Sequence, residues 1–95
     1  MSASEPHTDT AIVVYATAIC PYCLRARLLL DGLGQSYQLI DVGRDRQARG
    51  EMIQRAGGRS SVPQIFIGAR HVGGYDDLAR AERDGSLDDW LAEAG

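Results

Sequence analysis

The chain carries two cysteines, and both fall within Thr17-Ala18-Ile19-Cys20-Pro21-Tyr22-Cys23-Leu24-Arg25. A thiol attacks as its thiolate, and a free cysteine with a pKa of about 8.5 holds little of that form at neutral pH. Two thiols three positions apart can do what one cannot. The first forms a mixed disulfide with a substrate, and the second attacks that bond and releases the substrate reduced. Such chemistry needs a setting that favours the anion on one sulfur.

The flanking residues supply that setting. Ala11-Ile12-Val13-Val14-Tyr15 is apolar and largely β-branched, as suits a strand covered on both faces. Beyond the cysteines, Ala26, Leu29, Leu30 and Leu33 recur at i, i+3, i+4 and i+7, which is one face of a helix. Pro21 fits the first helical turn, where a missing N–H costs nothing, and Gly34 is the expected stop. Cys20 then lies at or just before a helix N-terminus, whose unpaired N–H groups and partial positive charge stabilise an anion. We therefore expect Cys20 to be the nucleophile and Cys23, one turn in and more buried, to resolve the mixed disulfide. Two competing readings are weaker. Zinc usually takes four ligands, and the further candidates are His7 in the N-terminal segment and His71, alone in a strand. A pair of inert core cysteines would not need to open a helix.

The remaining pattern describes what holds the pair in place. Tyr37–Val42 reads as a second strand, joined to the first by a βαβ crossover. A helix is expected from Asp45 to Ala56 with Ala48, Met52, Ile53 and Ala56 inward, closed by Gly57-Gly58. Gln64–Ile67 and His71–Val72–Gly73 are too close for anything but an antiparallel hairpin. Asp76 and Asp77 open a further helix that Gly85 closes, negative charge being favoured at a helix N-terminus. Ser86 with Asp89 resembles a capping box, ahead of a last helix carrying Leu87, Trp90, Leu91 and Ala94 inward. The order is β-α-β-α-β-β-α-α, an α/β fold. A tail over residues 1–10 and one domain over residues 11–95 are expected. His71 is expected to face solvent or the sheet edge without a catalytic role, and Trp90 to serve core packing.

Composition narrows the partners. Of 95 residues, 44% are hydrophobic and 24% charged, the net charge is −3, and no basic run is present, so a nucleic-acid partner is not expected. The apolar run at Ala11–Tyr15 is far short of the roughly 20 residues that span a bilayer, so no membrane association is expected. Met1–Thr10 lacks the basic-then-apolar order of a secretory signal. Closely spaced cysteines then point to a reducing compartment, the cytoplasm, and to a reactive role.

The motifs together resemble a known family. Cys20-Pro21-Tyr22-Cys23, Ser61-Val62-Pro63 ahead of Gln64-Ile65-Phe66-Ile67, and Gly73-Gly74-Tyr75-Asp76-Asp77 resemble, in order and spacing, the three signatures of a dithiol glutaredoxin, over about Ala11 to Leu91. The resemblance implies a thioredoxin-like fold, a four-stranded mixed sheet flanked by helices. It implies a glutathione-dependent thiol-disulfide oxidoreductase that reduces protein disulfides and glutathionylated proteins, with glutathione as reductant, no permanently bound cofactor, no metal and a monomeric state. By the same resemblance, Pro63 is cis and Val62 pairs its backbone with the cysteinyl unit of glutathione. The helix start near Gly74 takes the γ-glutamyl carboxylate, Asp77 or Asp76 the ammonium, and Tyr22 flanks the groove. Tyr75 is bulkier than the small residues common at its position and narrows the site or packs on the ligand. Thr17 stands where the family often has a lysine for the glycyl carboxylate, and Arg59, Arg49 or Arg25 are the cations that could compensate. A carrier reading, in which two Cys20 thiolates and two glutathiones share a [2Fe–2S] cluster across a dimer, is the alternative, and Pro21 argues against it.

Overall fold

The strand that precedes the cysteines is the centre of the molecule. β1 (Ile12–Ala16) lies between β2 (Gln38–Asp41), to which it is parallel, and β3 (Gln64–Ile67), to which it is antiparallel. β4 (Arg70–Gly73) pairs antiparallel with β3, with a register shift at Ile65 and Phe66, so the sheet order is β2-β1-β3-β4. Helices α1 (Pro21–Gly32), α2 (Arg46–Arg55), α3 (Tyr75–Asp84) and α4 (Ser86–Ala94) complete the expected order. The structure is a computed structural model that describes residues 11–94; the expected N-terminal tail therefore lies outside the described residues.

The two-residue period of the strands divides the core between the two faces of the sheet. Ile12, Val14 and Ala16 with Ile65 and Ile67 meet Cys23, Ala26 and Leu30 of α1, Leu78 and Ala81 of α3, and Leu87 of α4. Tyr15 and Phe66 face the other way, onto Ala48, Met52 and Ala56. Val14, Leu30, Ile65 and Leu78 are fully buried, and each such side chain contributes on the order of 1.5–3 kcal/mol by leaving water. The register Tyr15↔Gln64 and Ile65↔Gly73 brings the end of β1, the start of β3 and the end of β4 to one end of the sheet. The N-termini of α1 and α3 follow directly from those strand ends.

Helix boundaries show where sequence pattern and packing part. α1 was expected to bury Leu33, but Leu33 is the C-cap residue and is 41% exposed, because the helix ends one residue before it. Leu29 is half-buried, and Cys23, Ala26 and Leu30 form the inner face. α2 starts as expected: Asp45 is its N-cap, and the carboxylate accepts the Ala48 N–H at 3.0 Å. The capping box expected at Ser86 and Asp89 is not formed. Ser86 lies inside α4 as its first residue, and its N–H donates to the Asp84 carboxylate at 2.9 Å. A side-chain cap of the Asp type stands instead at α3, where Asp77 accepts the Gly74 N–H at 2.9 Å. Trp90 is half-buried, packed against the first core cluster, with the Arg70 guanidinium 4.8 Å from its ring centroid.

Candidate active site

Cys20 is the N-cap of α1, in extended conformation, and its sulfur accepts the Cys23 N–H at 3.1 Å. Pro21 begins the helix, where its absent N–H leaves no bond unmade. The first turn of α1 contains no acidic residue, whereas α3 opens with Asp76 and Asp77 and α4 with Asp88 and Asp89. The positive end of α1 is thus left to the sulfur. On its other side the Cys20 sulfur lies 3.9 Å from the Val62 carbonyl oxygen, a weak contact that sets it against the loop ahead of β3. The Val62–Pro63 peptide bond is cis.

The two thiols differ in environment. Both are free; Cys20 is half-buried, and Cys23 is 2% exposed within the core. Burial first, and then the hydrogen bond and charge of Cys20, push the Cys23 thiol up to about 11, against a partial offset from Thr17. Cys23 therefore stays a thiol at neutral pH. The raised value has a consequence for stability. The native state holds this proton more tightly than the unfolded chain, so stability falls as pH rises from about 9 through about 11. We expect reduced protein to lose roughly 2–3 kcal/mol more across that window than the Cys23→Ser variant. Urea unfolding of both at about pH 8 and pH 10.5 measures the difference; equal losses would contradict the burial of a protonated Cys23.

A cleft of about 150 Å³ reaches Cys20 through Val62, which lines it and whose carbonyl the Cys20 sulfur approaches; Cys20 itself is not among its lining residues. Of the eight residues expected to bind glutathione, seven line it: Tyr22 from α1, Val62 and Pro63 from the loop before β3, and Gly74 to Asp77 from the start of α3. Thr17, the eighth, lies in a separate pocket with Arg27, Leu39 and Asp41. The Tyr22 and Tyr75 rings, both lining the cleft, approach to 6.4 Å between centroids at 35°. Arg59 and Ser61 also line the cleft. Of the three compensating cations considered, Arg59 is the one in the cleft, its guanidinium 3.8 Å from an Asp77 carboxylate oxygen. Arg49 donates to the Ser60 carbonyl at 2.9 Å, and Arg25 lies 5.2 Å from the Tyr22 ring centroid.

Two residues stand differently from expectation or were missed. His71 is on the sheet's edge strand but turns inward: its ring stacks on Phe66 at 4.8 Å and 21°, and its Nε2 lies 2.6 Å from Gln64 Oε1. Burial and the nearby charges of Arg59 and Arg55 lower its pKa against the opposing pull of Asp77. Gln64 is fully buried, its Nε2 donating to the Ser61 carbonyl at 3.1 Å and to Ser61 Oγ at 3.2 Å. The signal for it was present in the sequence. A polar residue in the apolar run Gln64–Ile67 must find partners once the strand is buried.

A thiol pair at the start of the helix that follows the central strand, facing a loop with a cis-proline, defines a thiol-disulfide oxidoreductase of thioredoxin-like fold. The comparisons narrow the class. A glutaredoxin family profile matches residues 12–72. Glutaredoxin 1 of Rickettsia typhi is 46% identical over 92 residues, covering 96% of this chain and 86% of its own length. Glutaredoxin 3 of Escherichia coli K12 is 45% identical over 80 residues, covering 84% and 95%. Among solved structures, the buckwheat glutaredoxin–glutathione complex matches with a TM-score of 0.80 at 35% identity, over 90% of this chain and 79% of that one. The chain belongs to the glutaredoxin family, the glutathione-dependent thiol-disulfide oxidoreductases.

Proposed function

We propose that this chain reduces glutathionylated proteins and protein disulfides, with Cys20 as the attacking sulfur and Cys23 as the resolving one. The observation that carries this is the asymmetry of the pair: Cys20 caps the helix beside an open cleft, while Cys23 is 2% exposed and protonated. In the first step the Cys20 thiolate attacks a substrate-bound glutathione at sulfur, and the substrate leaves as a thiolate. A second glutathione thiolate then attacks the Cys20–glutathione disulfide, giving glutathione disulfide and free Cys20. With a protein disulfide, Cys20 first bonds to the protein. Cys23 then gives up its proton and attacks Cys20 sulfur, the reduced protein leaves, and two glutathiones restore the dithiol. Two of the influences that hold the Cys23 proton come from Cys20 itself. Both weaken when Cys20 enters a mixed disulfide, which eases the loss of the Cys23 proton at the step that needs it, while burial, the larger influence, stays.

The tripeptide fits the cleft as a short extended segment. Its cysteinyl unit pairs with the backbone of Val62 in the manner of an added strand. Its γ-glutamyl carboxylate meets the first-turn amides of α3, where N–H groups lack partners within the helix. Asp77 already holds the Gly74 N–H and stands near Arg59, so Asp76, which is exposed, shares the ammonium with it. Thr17 brings no charge to the glycyl end, and the cation that lines the cleft, Arg59, stands beside Asp77. We expect Arg59→Ala to raise the KM for a glutathionylated peptide about tenfold with little change in kcat, the size of a lost hydrogen bond to a charged group. An unchanged KM would remove Arg59 from the site. The substrates are disulfide-containing or glutathionylated proteins in a reducing compartment, the cytoplasm, and the chain acts as a monomer with glutathione as its reductant. No helix among the described residues is long and apolar enough to cross a membrane. Glutathione-coupled turnover of a glutathionylated peptide tests the proposal; a rate equal to the uncatalysed background would end it.

A further inference from the structure

We infer that Gln64 and His71 are positioning residues for glutathione, acting through the Ser61 backbone to hold the Val62 edge of the cleft. The inference rests on the reading of Val62 as a glutathione contact. Gln64 is fully buried at the first position of β3, immediately after the loop that lines the cleft. Its amide can be oriented from chemistry. The Ser61 carbonyl accepts and cannot donate, so the Gln64 nitrogen must face it, at 3.1 Å. Oε1 then points to His71 Nε2 at 2.6 Å, and that nitrogen must carry a proton. A chain of donors thus runs from β4 through β3 into the loop: His71 to Gln64, Gln64 to Ser61. Phe66 holds the imidazole in the plane this requires, the two rings stacking at 4.8 Å. Every buried hydrogen-bonding atom of Gln64 is satisfied, and removing the His71 donor would leave a buried acceptor unpaired.

The bond between His71 and Gln64 does not touch Cys20, whose sulfur is held by the Cys23 N–H at 3.1 Å and by its place at the α1 terminus, the Val62 carbonyl at 3.9 Å being too distant to fix it. Its loss should therefore be felt in glutathione binding and not in the thiol chemistry. His71→Phe keeps a ring on Phe66 and deletes the donor. We expect its KM for a glutathionylated peptide to rise roughly five- to tenfold, with kcat and the rate of Cys20 alkylation by iodoacetamide unchanged. His71→Gln places an amide nitrogen at a similar reach and should restore most of the KM. Gln64→Met, which keeps the length of the side chain but has no donor for the Ser61 carbonyl, should raise KM as His71→Phe does.

An unchanged KM in His71→Phe would overturn the inference. So would a fall of kcat and alkylation rate together with the KM change, or failure of His71→Gln to rescue, since each would mark a general structural effect. Glutathione titration of the wild type, followed through the Val62 and Ser61 amide resonances, separates the two levels. If those resonances do not move, the placement of glutathione on Val62 is itself wrong. If they move and the variants bind normally, only the role of Gln64 and His71 is wrong.

Discussion

Cys20→Ser abolishes both reduction of protein disulfides and removal of glutathione from proteins, whereas Cys23→Ser loses the first and keeps the second. The expectation for Cys20→Ser is a fall to background, on the order of a thousandfold or more, because a serine hydroxyl is not ionised at neutral pH. Cys23→Ser leaves the attacking sulfur, its place at the N-cap and the cleft intact, since the helix N–H at position 23 belongs to the backbone. Deglutathionylation needs one sulfur and a second glutathione, so its rate should stay within a fewfold of wild type. Reduction of a protein disulfide needs the resolving thiol and should stall at the mixed disulfide. Serine at a position 2% exposed costs about 1 kcal/mol of unsatisfied hydroxyl, small enough for the fold to persist. Loss of both activities in Cys23→Ser, with the fold intact by circular dichroism, would reverse the assignment of the two sulfurs.

Gly73→Ala should be the most damaging single methyl group behind the cleft wall. Gly73 ends β4 with φ +116, a conformation that side chains rarely adopt. An added Cβ would also overlap the Asp77 carboxylate and come within 3.1 Å of the Arg59 guanidinium. The backbone strain costs about 1–3 kcal/mol, and displacing Asp77 removes the cap on the Gly74 N–H, about 1 kcal/mol more. Together these predict a fall in Tm of about 10–20 °C for a domain of this size, along with weaker glutathione binding as Arg59 and Asp77 move. A variant melting within a few degrees of wild type would mean that β4 and α3 can part without cost, and that the α3 start is not the fixed wall described above.

The order of elements and the place of the thiol pair were legible because both are local. Strand β1 announces itself by its apolar, β-branched run, and the leucine spacing after Cys23 places the helix that the cysteine caps. The limits of Leu33 and Ser86 were not legible, since one residue of helix more or less depends on which neighbours cover the end. In the cleft, the backbone segments Val62–Pro63 and Gly74–Asp77 converge as their motifs imply. What the sequence could not say is which arginine enters. Arg25, Arg49 and Arg59 are equal on paper, and the path of the loop before β3 selects Arg59. His71 read as an edge residue because β4 is an edge strand; the register Phe66↔His71, a tertiary fact, turns it onto Phe66 and towards Gln64.

The central claim is that the reactive sulfur belongs to Cys20. Treating the reduced protein at about pH 7 with less than one equivalent of iodoacetamide, and locating the label by tandem mass spectrometry, tests it without any assumption about substrate. The buried, protonated Cys23 should remain unlabelled while Cys20 takes nearly all of the reagent. Label found mainly on Cys23, or divided evenly between the two, would contradict the account.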